Sequence, residues 1–248
     1  MSQLMRAAPV TWLTVREFGA GRAIRVTALF AATPIVFALI YLAQSNRPSG
    51  VNFLGDLFLG FLATIVIPLA TLILATAALG NELSDRTIPY LALKPVGRWR
   101  IVLEKFAGTV LVTAVPLLLG IVITWGIVAS QEASAGGRVL LAMLAATLAG
   151  ILAYGALFLF ISLVIPRALI VGIIYVLLWE GLIVALISGA RVLSVRHYIN
   201  SIFVHVLDNR AVRVDQVASL ATALVVLALV VVVSLALASR RLSRMSLD

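Results

Sequence analysis

Long apolar runs separated by short polar interruptions organise this chain. The runs extend over about Val26 to Ala43, Phe53 to Leu79, Ile101 to Val128, Val139 to Ile165, Ala168 to Ile187 and Val217 to Ala238. Each is near or above the roughly 20 residues that a helix needs to cross a bilayer. The pattern therefore predicts an all-α, polytopic membrane protein with six transmembrane helices. The ten-residue alternation of a membrane barrel is absent. Pro34, Pro68 and Pro116 fall inside the first three runs, where a membrane helix tolerates proline as a kink if neighbours satisfy the freed carbonyl. Ala145, Ala149 and Ala153 in the fourth run, with Gly150 and Gly155 nearby, let another helix come close, either within the chain or along a dimer seam. Pro166 and Arg167 leave room only for a very tight turn.

Two stretches depart from the uniform apolar pattern. Residues 188–216 place Val195, Tyr198, Ile199, Ile202, Phe203 and Val206 at helical spacing, with Arg196, His197, Asn200, Ser201 and His205 on the other side. This predicts an amphipathic external segment before span six, lying at the interface or dipping into it. Tyr198, Ile202 and Phe203 are then candidates for an external gate, or for a lid over the span ends. Residues 1–25 form a basic N-terminal segment containing Arg6, Arg16, Arg22 and Arg25, with a short interfacial helix expected over Val10 to Arg25. No cleaved signal is expected in it.

Composition narrows the class. The 248 residues are 62% hydrophobic and 12% charged, with mean hydropathy +1.15; soluble domains are about half apolar and a quarter charged. The net charge of +9 does not indicate nucleic acid, because the arginines flank apolar runs, where they anchor helices and set topology. With the N-terminus inside, thirteen Lys/Arg are cytoplasmic and six external. Both termini are accordingly expected in the cytoplasm of a bacterial-type cell membrane. Cysteine is absent, which excludes disulfides and thiolate chemistry. No phosphate-binding Gly-x-x-x-x-Gly-Lys-Ser/Thr motif occurs, so any ATP is bound by another chain.

The densest charge lies at 81–100, between spans two and three, and continues to Lys105. Glu82 and Arg86 form an i,i+4 pair if the segment is helical, and Pro95 and Gly97 predict a turn before Arg98. On charge pattern alone this could be a solvated interfacial loop. The ordered set Glu82, Thr87, Pro95, Arg98 and Lys105, however, resembles the cytoplasmic coupling segment of ABC-2 type permeases, the transmembrane subunits of ABC transporters. Arg86 stands where many members have glycine, and Gly97 where many have a small polar residue. The basic N-terminal segment and the Leu178-Trp179-Glu180-Gly181 sequence extend the resemblance weakly over most of the chain. It implies one permease domain over 1–248 and a coupling helix within 81–100. In it Glu82, Asp85, Arg86, Thr87, Pro95, Arg98 and Lys105 shape the surface that meets an ABC ATPase dimer. It also implies a second permease copy, most simply a homodimer in membrane lipid. No cofactor is expected in this chain, since ATP and Mg belong to the ATPase.

Candidate chemistry is otherwise sparse. Glu180 is the one ionisable residue well inside a predicted span, and should face the interior, be neutral or lie near the outer surface. It could line a translocation path or bond a neighbouring helix. His197 and His205 are about 12 Å apart by helix rise, too far for one metal. An intramembrane enzyme would need a constellation that Glu180 alone does not supply. A membrane anchor or scaffold for an ATPase is the other alternative to a transporter subunit, which the resemblance favours as an exporter.

Overall fold

The computed structural model describes residues 22–84, 98–132, 135–209, 212 and 216–244. Every element among them is helical. α1 is Arg22–Ala43. α2 is a continuous rod over 50–84, α-helical at Gly50–Asp56, π-helical at Leu57–Val66 and α-helical at Ile67–Ser84. α3 is Arg98–Ala129 and α4 is Gly137–Val164. α5 covers 168–186, α-helical at Ala168–Ile174, π-helical at Tyr175–Ile183 and α-helical at Val184–Leu186. A 3₁₀ turn, Ser188–Leu193, leads into α6, Val195–Leu207, and α7 is Leu220–Arg244. The expected interfacial helix before Arg22 lies outside the described residues, as do positions 85–97 of the 81–100 segment.

Among the described residues, five helices are long and apolar enough to cross a membrane: Arg25–Ala43, Gly50–Ala78, Trp99–Ala129, Gly137–Val164 and Leu220–Arg244. Ala168–Ile183, the bulk of the predicted fifth span, is a shorter apolar helix. Its rod ends at Leu186, and the chain turns through Ile187, whose backbone is extended (φ −112°, ψ 105°). Of the six spans expected from the sequence, five are present as long apolar helices, and the fifth predicted span is a helix too short to count with them. The tight turn at Pro166 and Arg167 is present, with Arg167 in the left-handed region (φ 68°).

α4 is the hub and packs against α2, α3, α5, α6 and α7. Lipid is as apolar as leucine, so such contacts depend on close packing, and small residues provide it. The buried small residues of α4 include Ala142, Ala146, Gly150, Ala153, Gly155 and Ala156. The expected stripe of Ala145, Ala149 and Ala153 splits, with Ala145 exposed and Ala153 buried, because a strict four-residue spacing drifts around a helix of 3.6 residues per turn. At Gly150 a Cβ would lie 2.9 Å from Ile199 Cδ1 and 3.0 Å from Ile67 Cγ2, so α2, α4 and α6 converge there. α1 docks separately on α3, where a Cβ on Gly120 would sit 2.4 Å from the Ala31 carbonyl oxygen.

The connections sort into two ends. At one, the Gly50 N–H donates to Glu132 Oε2 (3.3 Å) and Arg138 Nη1 lies 3.3 Å from Asp208 Oδ2. At the other, Ala78, Ile101, Val102, Leu163, Ala238 and Leu242 share an apolar cluster. Threonines inside the rods bond back to the carbonyl four residues earlier, as Thr71, Thr76, Thr109, Thr113 and Thr124 do. That satisfies their hydroxyls where no water is available.

The α1–α3 contact yields a paired prediction. Gly120→Ala pushes a methyl into backbone, and overpacking of this kind costs about 1–3 kcal/mol. Gly126→Ala, with no atom within 4 Å of its Cβ, is neutral or slightly stabilising, since alanine favours helix by roughly 0.5–1 kcal/mol. Thermal unfolding in detergent, followed by size-exclusion fluorescence, should show a lower midpoint for G120A only.

Candidate functional site

Near the middle of the bundle, α6 begins. Its N-terminus is pinned by Glu180 from the π-helical part of α5. Glu180 is fully buried. Its Oε1 accepts from the Val195 N–H (3.0 Å) and from the Tyr175 hydroxyl (3.0 Å), and its Oε2 accepts from the Ser194 hydroxyl. Ser194 is the N-cap of α6, and its Oγ also accepts from the His197 N–H at 3.1 Å. The first N–H groups of a helix have no internal partner, and its N-terminus carries a partial positive charge that favours a carboxylate. Glu180 and Ser194 together meet both needs inside the apolar bundle. Tyr154 of α4, fully buried, lies close to Glu180.

The π winding makes this possible. In an α-helix, residues five apart diverge by about 140° around the axis. The wider i→i+5 turn of a π-helix stacks them instead, which brings Tyr175 and Glu180 together. α2 shows the same signature: Thr64 donates to the Leu59 carbonyl five residues back (3.0 Å). The cause in α2 is Pro68, which cannot donate to residue 64 and whose ring crowds that carbonyl. The two π stretches face each other.

A second polar feature sits against α2. Arg196 Nη1 donates to Thr64 Oγ1 at 3.2 Å. Thr64 has fourteen residues of the Gly50–Ala78 span on each side, about 20 Å by helix rise. Arg196 therefore meets α2 near the middle of that helix, inside the bundle. His197 beside it is held below the usual imidazole range, first by burial and then by the charge of Arg191, with Glu180 pulling the other way.

The sequence-predicted site residues divide three ways. Glu82, Asp85, Arg86, Thr87 and Pro95 have no described side chains, and Arg98 is known only as the first residue of α3. Lys105 is 1% exposed, so its side chain is not on an open surface, and Arg100 Nε forms an ion pair with Glu104 Oε1 at 2.8 Å. Tyr198, Ile202 and Phe203 are brought together in the core. Phe203 stacks on Phe58 of α2 with centroids 4.4 Å apart, and the Tyr198 hydroxyl donates to the Val192 carbonyl at 2.8 Å. The two faces predicted for α6 are present, except that Ser201 is buried, where it accepts from the Ala218 N–H at 3.1 Å. α6 starts in the middle of the bundle, beside Thr64 of α2, and ends at Asp208, left-handed at φ 48°, beside Arg138 at the start of α4. A cleft of about 310 Å³ lies at that end, lined by Val204, His205, Asp208, Asn209 and Val217.

Sequence reasoning missed Ser194, Tyr175 and Thr64. Ser194 carried a readable signal, a serine just before an amphipathic run. Tyr175 and Thr64 did not, because helical periodicity assumes 3.6 residues per turn.

Hydrogen bonds between membrane helices average about 0.6 kcal/mol, with a ceiling near 1.7. Three donors converge on Glu180, so Glu180→Ala should loosen α6 by about 2–5 kcal/mol on that scale. Amide hydrogen exchange over 195–207 should rise sharply in this variant and less in Ser194→Ala, with α4 unchanged. Wild-type protection in Glu180→Ala would show that the carboxylate does not hold the helix.

Among curated proteins, no sequence matches this chain. The family model described as ABC-2 family transporter protein matches residues 20–247, which is nearly all of it. The chain belongs to that family, and is the membrane-embedded permease component of an ABC transporter.

Proposed function

We propose that this permease is half of an ATP-driven exporter in which two copies pair with two ATPase subunits. The family match over nearly the whole chain is the observation that carries this reading. ATP and Mg bind the ATPases, and this chain performs no catalysis. The 81–100 segment is the coupling element: Glu82, Asp85, Arg86, Thr87, Pro95 and Arg98 form its docking surface, and Lys105 fixes the root of α3. Its position supports the role. The segment joins the end of α2 to the start of α3, and α2 runs unbroken from Ser84 to Thr64 at mid-depth. A push on the segment by closing ATPases reaches the middle of the bundle along that rod. α5 completes six crossings, and α6 with Tyr198, Ile202 and Phe203 gates the external side.

Two experiments test this. Affinity purification from native membranes in mild detergent should recover an ATPase chain in equal ratio, and Glu82→Ala combined with Arg98→Ala should abolish its co-elution. Recovery without an ATPase, under conditions that preserve another ABC complex, overturns the reading. Orientation is checked separately, because the chain has no cysteine of its own. A membrane-impermeant maleimide should label Ser49→Cys in intact cells and Ser243→Cys only after permeabilisation.

A further inference from the structure

We infer that Arg196 and Asn200, on the α2-facing side of α6, form a binding site for a single oxyanion, the phosphate or carboxylate headgroup of an amphiphilic cargo. This rests on the permease reading only in calling the occupant cargo.

The guanidinium has five N–H donors and no acceptor. Among the described residues its one hydrogen-bond partner is the neutral Thr64 hydroxyl. The described ion pairs are Arg100–Glu104 and Arg138–Asp208, and neither involves it. Glu180 is already taken by Tyr175, Ser194 and Val195. Asp56 is exposed on the same rod as Thr64, but eight residues away, about 12 Å by helix rise. Its partner Thr64 is about 20 Å from either end of the Gly50–Ala78 helix by helix rise, so the guanidinium lies towards the middle of the bundle. An arginine inside the bundle that forms no ion pair among the described residues is a candidate functional group in a membrane protein.

Two further observations give the site shape. Asn200 is one turn beyond Arg196, so the two share a face of α6, and among the described residues its buried side-chain Oδ1 has no hydrogen-bond partner. Its amide offers both a donor and an acceptor. Gly60, a turn before Thr64, has no atom within 4 Å of where a Cβ would be, which leaves open space alongside. Arginine matches phosphate and carboxylate in a bidentate fork. Exposed apolar side chains at Val36, Phe37, Leu39, Ile40 and Ile65 suit the tail of an amphiphile.

The test uses the full chain in nanodiscs of zwitterionic lipid, with dodecyl phosphate, dodecyl phosphocholine and inorganic phosphate as separate probes. Dodecyl phosphate should bind wild type, with affinity falling at least tenfold in Arg196→Gln, less in Arg196→Lys, and severalfold in Asn200→Ala. Arg138→Gln should match wild type. Inorganic phosphate binding equally well, and likewise lost in Arg196→Gln, would retain the oxyanion site and make its source a soluble anion instead of a lipid. Dodecyl phosphocholine binding as tightly as dodecyl phosphate would overturn selectivity for an anion. Unchanged dodecyl phosphate binding in both Arg196 variants would overturn the site itself. So would a change of oligomeric state in Arg196→Gln with binding intact, which would assign the guanidinium to a subunit contact. Arg196→Lys keeps the charge, so it reports even if the glutamine variant fails to fold. Binding is read without nucleotide or ATPase, so its failure is distinct from failure of the co-purification above.

Discussion

A carboxylate closing the buried end of a helix is the constraint on which the rest of this bundle depends. In hydrocarbon no water satisfies a free backbone N–H, and a helix starting at mid-depth exposes several of them. Glu180 and Ser194 supply the acceptors for α6. The remaining features can be read as making room for that junction. The small face of α4 lets α6 lie close, with Ile199 packed at Gly150. The stacked Phe58 and Phe203 rings fasten it to α2. The π winding of α5 brings Tyr175 round to share the carboxylate.

The two π stretches are therefore more than local irregularities. Both lie at mid-depth, they face each other, and each presents a polar side chain, Thr64 or Glu180, to the first turn of α6 or the residue just before it. Wider winding weakens backbone hydrogen bonding in both rods at one level of the bundle. That is where helices bend most readily and where a rod transmitting motion from one end would yield.

The distribution of charge complements this. The basic residues Arg100, Arg167, Arg240, Arg241 and Arg244 belong to the end where α3 starts and α7 finishes. At the opposite end Arg138 and Asp208 pair across loops. Arg196, which the sequence pattern groups with the charges expected outside, is instead drawn into the bundle beside Thr64. The reason is its position next to Val195, whose N–H is held by Glu180.

Taken alone, the sequence determined the helical, membrane-spanning class, the positions of the rods, the tight turn at Arg167 and the two faces of α6. Those follow from run length and from periodicity, which are properties of neighbouring residues. The family resemblance was legible in the 81–100 segment, and the match over residues 20–247 establishes the family independently of it. Tertiary structure decided the rest. Whether Glu180 met water, a path or another helix depended on where a segment fifteen residues later would lie. The depth of α6, the partner of Arg196 and the burial of Lys105 are set by packing between rods far apart in sequence. The pairing of Tyr175 with Glu180 required a winding that a 3.6-residue period conceals.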